Sequence, residues 1–142
     1  MQSKYEWLYL YAFVQPQTGK TIWYILPELT TVAFQIVLDN FAKAVAASSH
    51  KRILLMLDQA PWHTAKALEF PQGMELVLQP AYSPELQPAE RLWLLSDETL
   101  YNQFFPSLDH LQDTLAKQCV LLMTQPQRVK AHTLFHWWPI IL

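Results

Sequence analysis

Ile53-Leu54-Leu55-Met56-Leu57-Asp58-Gln59-Ala60-Pro61-Trp62-His63 and Tyr82-Ser83-Pro84-Glu85-Leu86-Gln87-Pro88-Ala89-Glu90-Arg91-Leu92-Trp93 bracket the stretch around which this chain is arranged. The first segment is a short apolar run ending on an acid, the pattern of a buried strand with a carboxylate at its C-terminal mouth. The second is a proline-bracketed loop feeding a helix whose first turn carries another acid, Glu90. In an open α/β sheet, ligands bind outside the carboxyl ends of the strands. Two carboxylates meeting there offer the oxygen ligands that Mg²⁺ prefers. Each acid alone has a plainer explanation: Asp58 as a turn or cap residue, Glu90 as a complement to a helix dipole.

Working outward, Glu6 to Val14 is rich in Trp, Leu, Tyr, Phe and Val, which predicts a central strand apolar on both faces. Pro16-Gln17-Thr18-Gly19 supplies a turn, and Lys20 to Leu26 forms the second strand of a hairpin that Pro27 ends. From about Thr30 to Ser48, Ala33, Ile36, Val37, Phe41, Ala44 and Val45 recur at helical spacing, with Thr30 or Thr31 as the cap. Pro61 opens a short helix reaching about Glu69. Pro71-Gln72-Gly73 turns the chain into a strand over Met74–Leu78. A helix starts at Pro88 or Ala89 and runs to about Leu95, with a further piece through Tyr101. Ser107 caps a helix carrying Leu108, Leu111, Leu115, Cys119 and Leu122 on one face, and Pro126 ends it. The residues after Pro126 carry no pattern that places them.

The two quoted segments resemble the motifs of DDE transposases of the mariner superfamily and its bacterial insertion-sequence branch. Leu57–His63 is similar to their Asp-Asn-x-x-x-His motif, and Ser83–Glu90 to their Ser-Pro-Asp/Glu-Leu-Asn-Pro-x-Glu motif. The spacing between them is close to the family's. The resemblance extends to the closing Phe135-His136-Trp137-Trp138-Pro139. It implies an α/β, ribonuclease-H-like mixed sheet with helices on both faces. Asp58 and Glu90 then correspond to the second and third of three metal-ligating acids. Asp58 bridges two ions of Mg²⁺ or Mn²⁺ and Glu90 completes one of them. The implied reaction is cleavage and strand transfer of transposon-end DNA. His63 falls on the family's histidine near the metal and takes a supporting role. Gln59 and Gln87 stand where the family usually has Asn; Gln, one methylene longer, stabilises a local turn less well.

The family fold opens with three antiparallel strands, a helix and a fourth strand, whereas the pattern here supplies two strands before the helix. The first central strand, which in the family carries the first acid, is expected to be missing. Glu6 starts its strand and does not match that aspartate. The expectation is a single partial catalytic domain over 1–142, truncated at its N-terminus, holding its ions weakly and inactive alone. A homo-oligomer or a full-length transposase is the expected protein partner. One alternative is a non-catalytic module that pairs with full-length transposase through an open sheet edge. Another is a complete small nuclease that substitutes Glu6, Asp39 or Glu85 for the first acid.

Composition narrows the remaining classes. The chain has 142 residues, enough for one domain with a core, and 51% hydrophobic against 15% charged residues argues against disorder. A formal net charge of −2 means that DNA contact needs a local patch or another module, and Lys51, Arg52, Lys66 and Arg91 are candidates. Trp93, Trp137 and Trp138 are read as packing residues in preference to base-stacking ones. A single cysteine, Cys119, excludes an internal disulfide and fits a reducing cytoplasm. The N-terminus is not a secretory signal, and no apolar run approaches the roughly 20 residues that span a bilayer. Asp58 with His63 lacks the compact third ligand of a zinc hydrolase. No nucleotide-binding glycine loop or nucleophile triad motif is present.

Overall fold

The structure, a computed structural model, describes residues 2–5, 8–64, 66–80, 87–100 and 104–134. In chain order its elements are β1 (Gln2–Tyr5), β2 (Leu8–Gln15), β3 (Lys20–Leu26), α1 (Thr31–Ala44), β4 (Ile53–Leu57), α2 (Pro61–Thr64) and β5 (Met74–Leu78). There follow a 3₁₀ turn at Pro88–Arg91, α3 (Leu92–Ser96), a second 3₁₀ turn at Asp97–Leu100, α4 (Leu108–Met123) and α5 (Pro126–Thr133). Three antiparallel strands, a helix, a fourth strand and a parallel fifth strand give the mixed α/β order of a ribonuclease-H-like domain. The backbone divides into two compact units: Met1–Pro27 with Pro84–Leu142, and Glu28–Ser83.

In the first unit β2 lies between β1 and β3. Its register runs from Gln2↔Tyr11 to Tyr5↔Leu8 on one side and from Gln15↔Lys20 to Tyr9↔Leu26 on the other. Leu10, Tyr11, Ala12 and Phe13 are buried in succession, so β2 is covered on both faces, as its unbroken apolar run predicts. The leading strands number one more than the pattern suggests, and β1 is the addition. Gln2, Ser3, Lys4 and Tyr5 show no apolar alternation, so only backbone pairing to β2 reveals the strand. None of the four is an acid. At the β2–β3 turn, Gln15 O accepts from the N–H of Thr18 (3.2 Å) and of Gly19 (2.8 Å). Leu8, Leu111 and Leu115 form a core cluster, joined by the partly buried Ile25, Leu100 and Phe105. Ser107 caps α4, its hydroxyl accepting from His110 N–H at 3.1 Å, and the buried Gln118 amide donates to Leu95 O at 2.9 Å. Pro126 does not end α4, which stops at Met123; it opens α5, where its fixed φ suits the first turn.

In the second unit β4 and β5 pair in parallel, from Ile53↔Met74 to Leu57↔Leu78. β4 alternates instead of being buried on both faces: Leu55 and Leu57 point inward while Leu54 is 64% exposed. Thr30 caps α1, its hydroxyl accepting from Ala33 N–H at 3.1 Å. The buried face is Ala33, Phe34, Val37, Leu38, Phe41 and Ala42. Ile36 and Ala44, expected on that face, are exposed, because α1 holds more apolar residues than one face accommodates. α2 is one turn long and does not reach Glu69. The loop at Glu69 is tied to α1 by a pair of hydrogen bonds: Gln35 Nε2 donates to Glu69 O, and Glu69 N–H to Gln35 Oε1, both at 2.8 Å.

α1 ends in a Schellman closure. Ala47 N–H reaches Ala42 O at 2.9 Å and Ala46 N–H reaches Lys43 O at 3.2 Å. The left-handed position is occupied by Ala46, at φ 56°, where glycine is usual. Replacing that alanine removes a Cβ–carbonyl conflict, offset in part by a more flexible unfolded chain. Ala46→Gly is therefore expected to stabilise the protein by about 0.5–1 kcal/mol. A urea midpoint that falls instead would contradict this.

Candidate active site

Asp58 follows the last residue of β4, at the carboxyl end of a parallel strand. The chain turns there because Asp58 Oδ1 accepts from Ala60 N–H at 3.1 Å, an Asx turn. Pro61 then starts α2, and one turn of helix brings His63 back over the acid. His63 Nδ1 lies 2.7 Å from Asp58 Oδ1 and 3.2 Å from Asp58 O. Both neighbours are acceptors, so Nδ1 carries the proton. The imidazole is 1% exposed and packs against Phe34 of α1, with ring centroids 4.5 Å apart. The hydrogen bond from His63 is the main cause that holds the Asp58 carboxyl down at about 2, against the opposing effect of partial burial. Asp58 is thus a half-exposed, ionised carboxylate with a rigid partner.

A depressed folded-state pKa contributes stability above the unfolded value, near 3.8, and loses it as pH falls through about 2. Asp58→Asn removes this dependence. Between about pH 4 and pH 2, the urea midpoint of the wild type is expected to fall more steeply than that of the variant. Parallel acid limbs would show that the His63 bond does not favour the ionised form.

Gln59 makes a contact that the shorter Asn of the resembled motif does not reach. Its Nε2 donates to Gln79 O at 3.0 Å, while Gln79 N–H donates to Leu57 O at 2.8 Å. The ends of β4 and β5 are thereby pinned together beside Asp58. The local turn is made by Asp58 itself, whose Oδ1 accepts from Ala60 N–H. Gln79, 4% exposed, carries no signal in the sequence, because its role arises only from strand pairing.

Glu90 belongs to the other unit. It sits in the 3₁₀ turn Pro88–Arg91, where Pro88 and Ala89 are buried and Glu90 N–H donates to Gln87 O at 3.1 Å. The side chain is partly exposed, and Oε2 accepts from the indole N–H of Trp93 at 3.1 Å. Trp93 meets Trp23 of β3 edge to face, centroids 6.3 Å apart at 69°. The sequence places Trp93 three residues after Glu90, a spacing that puts both on one helical face, and that was the available signal for their contact.

Asp58 and His63 are thus brought together in one unit, and Glu90 and Trp93 in the other. Among the described residues no cluster of three or more His, Cys, Asp or Glu is gathered for a metal. Of the substitute acids, Asp39 lies on an exposed part of α1 with Oδ1 accepting from Gln35 Nε2 at 3.1 Å. Glu6 and Glu85 lie outside the described residues, as do Ser83–Leu86 of the second motif and Trp137 and Trp138. Lys51, Arg52, Lys66 and Arg91 are exposed, and Arg52 pairs with Glu75. No helix among the described residues is long and apolar enough to cross a membrane.

Comparison with known proteins adds three findings. The family model of the DDE superfamily endonucleases matches residues 2–112. The uncharacterized protein y4pE/y4sA of Sinorhizobium fredii (strain NBRC 101917 / NGR234) is 32% identical over 132 residues, covering 92% of this chain and 96% of its own length. No solved structure matches.

Proposed function

This chain belongs to the DDE superfamily of endonucleases, and on that premise we propose that it is the catalytic domain of an insertion-sequence transposase of the mariner superfamily, acting on transposon-end DNA in the cytoplasm. The observation that supports this best is Asp58. A carboxylate at the mouth of a parallel strand is kept ionised by a buried histidine on the next turn. Asp58 and Glu90 are the residues that would hold Mg²⁺ or Mn²⁺. Each is a carboxylate at least partly exposed, and carboxylate oxygens are the ligands a hard cation prefers. Such ions, when bound, activate a water or a DNA 3′-hydroxyl and stabilise the leaving oxygen.

The chain's own residues supply charge and position. Asp58 stays negative throughout the neutral range. His63 fixes its orientation from a packed site, and Gln59 keeps the ends of β4 and β5 from sliding. Glu6 is the only acid before Glu28, and by the resemblance it does not match the family's first aspartate. On the reading that the first acid is lacking, at least one ion is weakly held and the chain alone does not cut DNA. A nicking assay on element-end DNA tests this, with the chain as it is and with an N-terminal extension that supplies the resembled family's first aspartate. Nicking by the chain as it is would overturn the inactivity. Nicking by the extended chain that survives Asp58→Asn would overturn the site.

A second reading, a non-catalytic module pairing with full-length transposase, is favoured by one observation. β1 lies at the edge of its three-stranded sheet, and an edge strand offers backbone groups to another chain. Co-purification with a transposase that depends on residues 2–5 would support it.

A further inference from the structure

We propose that the outer face of α1, with the groove beside it, is a docking surface for a basic segment of a partner protein, one that carries Arg or Lys next to apolar side chains. Val32, Gln35, Ile36 and Asp39 stand at i, i+3, i+4 and i+7, so they form one stripe, opposite the face that α1 buries. Val32 is 69% and Ile36 55% exposed, and they are neighbours on successive turns. Beside them lies an open groove of about 290 Å³, lined by Gln35, Asp39, Ala67, Glu69, Phe70 and Pro71. Its walls are fastened to each other. Gln35 shares a pair of hydrogen bonds with the backbone of Glu69 at 2.8 Å, and its amide also donates to Asp39 Oδ1 at 3.1 Å. The groove is thus formed before anything enters it, and little ordering is left to oppose binding.

The charges name the occupant. Asp39 and Glu69 are exposed carboxylates, and among the described residues neither has an ion-pair partner. Glu28, on the N-terminal approach to α1, is a third exposed acid, its Oε1 accepting from the Thr30 hydroxyl at 3.4 Å. Among the described residues no Lys, Arg or His lines the groove. An apolar pair bordered by uncompensated acids is complementary to apolar side chains bordered by cations. Arg suits the groove best, because a guanidinium forks onto a carboxylate and stacks on a ring, and Glu69 and Phe70 supply both. A second copy docking through the same face would set these acids against themselves. DNA is disfavoured for the same reason, since its phosphates are anions. Among the described residues no three His, Cys, Asp or Glu gather here for a metal.

The test uses the full ¹⁵N-labelled chain and three synthetic helical peptides. One carries Leu and Arg on one face, the second has Glu in place of each Arg, and the third has Ser in place of each Leu. The Arg–Leu peptide is expected to shift the amide resonances of residues 32–39 and 67–71, and to bind about tenfold or more tightly than either control. Its affinity is expected to fall as salt rises, because exposed ion pairs are screened. Asp39→Lys combined with Glu69→Lys, both at exposed positions, is expected to weaken it about tenfold or more and to favour the Glu peptide instead. The comparison of peptides on the wild type needs no variant to fold. Equal binding of the Arg–Leu peptide and either control, shifts confined to other residues, or no shift at all overturns the inference. So does a double variant that binds the Arg–Leu peptide as the wild type does. Shifts of the same amides with chain concentration alone, without peptide, would assign the face to a second copy and also overturn it.

Discussion

Gly19→Ala is expected to cost roughly 2–5 kcal/mol, a large share of the stability of a domain this size. Gly19 lies in the β2–β3 turn at φ +79°, a region that an L side chain enters at a cost of about 1–2 kcal/mol. The new Cβ would also stand 1.8 Å from Pro126 O, 2.7 Å from Pro126 C and 3.0 Å from Lys130 N. All three are backbone atoms of the first turns of α5, so no flexible side chain can yield. Either the hairpin or α5 must shift, and strain of that kind adds about 1–3 kcal/mol. The check is urea unfolding of wild type and variant followed by circular dichroism. A loss under about 1 kcal/mol would show that the hairpin tip is not seated on α5 as described.

Asp58→Asn is expected to reduce Mg²⁺- or Mn²⁺-dependent nicking by the aspartate-extended chain by about a thousandfold or more. The reasoning is electrostatic. Metal ions contribute several kcal/mol of charge stabilisation in the transition state, and each 1.36 kcal/mol is about tenfold in rate. Asparagine keeps the shape of the side chain but offers an ion no charge. It can still take the Ala60 N–H and the His63 contact through its amide oxygen, so the turn and the fold are retained. DNA binding is expected to change little, because phosphates are contacted by basic groups and not by carboxylates. The same substitution therefore separates chemistry from folding and from DNA affinity. Equal loss of DNA binding would mean that Asp58 serves the structure of the DNA-contacting surface and not the reaction.

Much of the fold was legible because it was written in local chemistry. The run Ile53–Leu57 ending on Asp58, Thr30 and Ser107 as caps, and the turn at Gly19 each rest on residues close in sequence. So do the two acidic positions, whose motifs resemble a family to which the chain belongs. β1 was not legible, because Gln-Ser-Lys-Tyr forms a strand only by backbone pairing to Leu8–Tyr11. α5 was not legible either. A proline that breaks one helix is equally suited to open the next, and pattern alone does not choose between these outcomes.

The sequence by itself determined that the chain is α/β, that Asp58 closes a strand, and that Glu90 opens a helical turn. Only the tertiary structure decided what each acid touches. The proton on His63 Nδ1 follows from two acceptors brought beside it by a single turn of helix. The reach of Gln59 to Gln79 exists because β4 and β5 pair in parallel, and the hold of Trp93 on Glu90 because Trp23 of β3 braces the indole. Residue type sets what a side chain can donate or accept. Partners distant in the chain are chosen by packing, which the sequence encodes only through the fold as a whole.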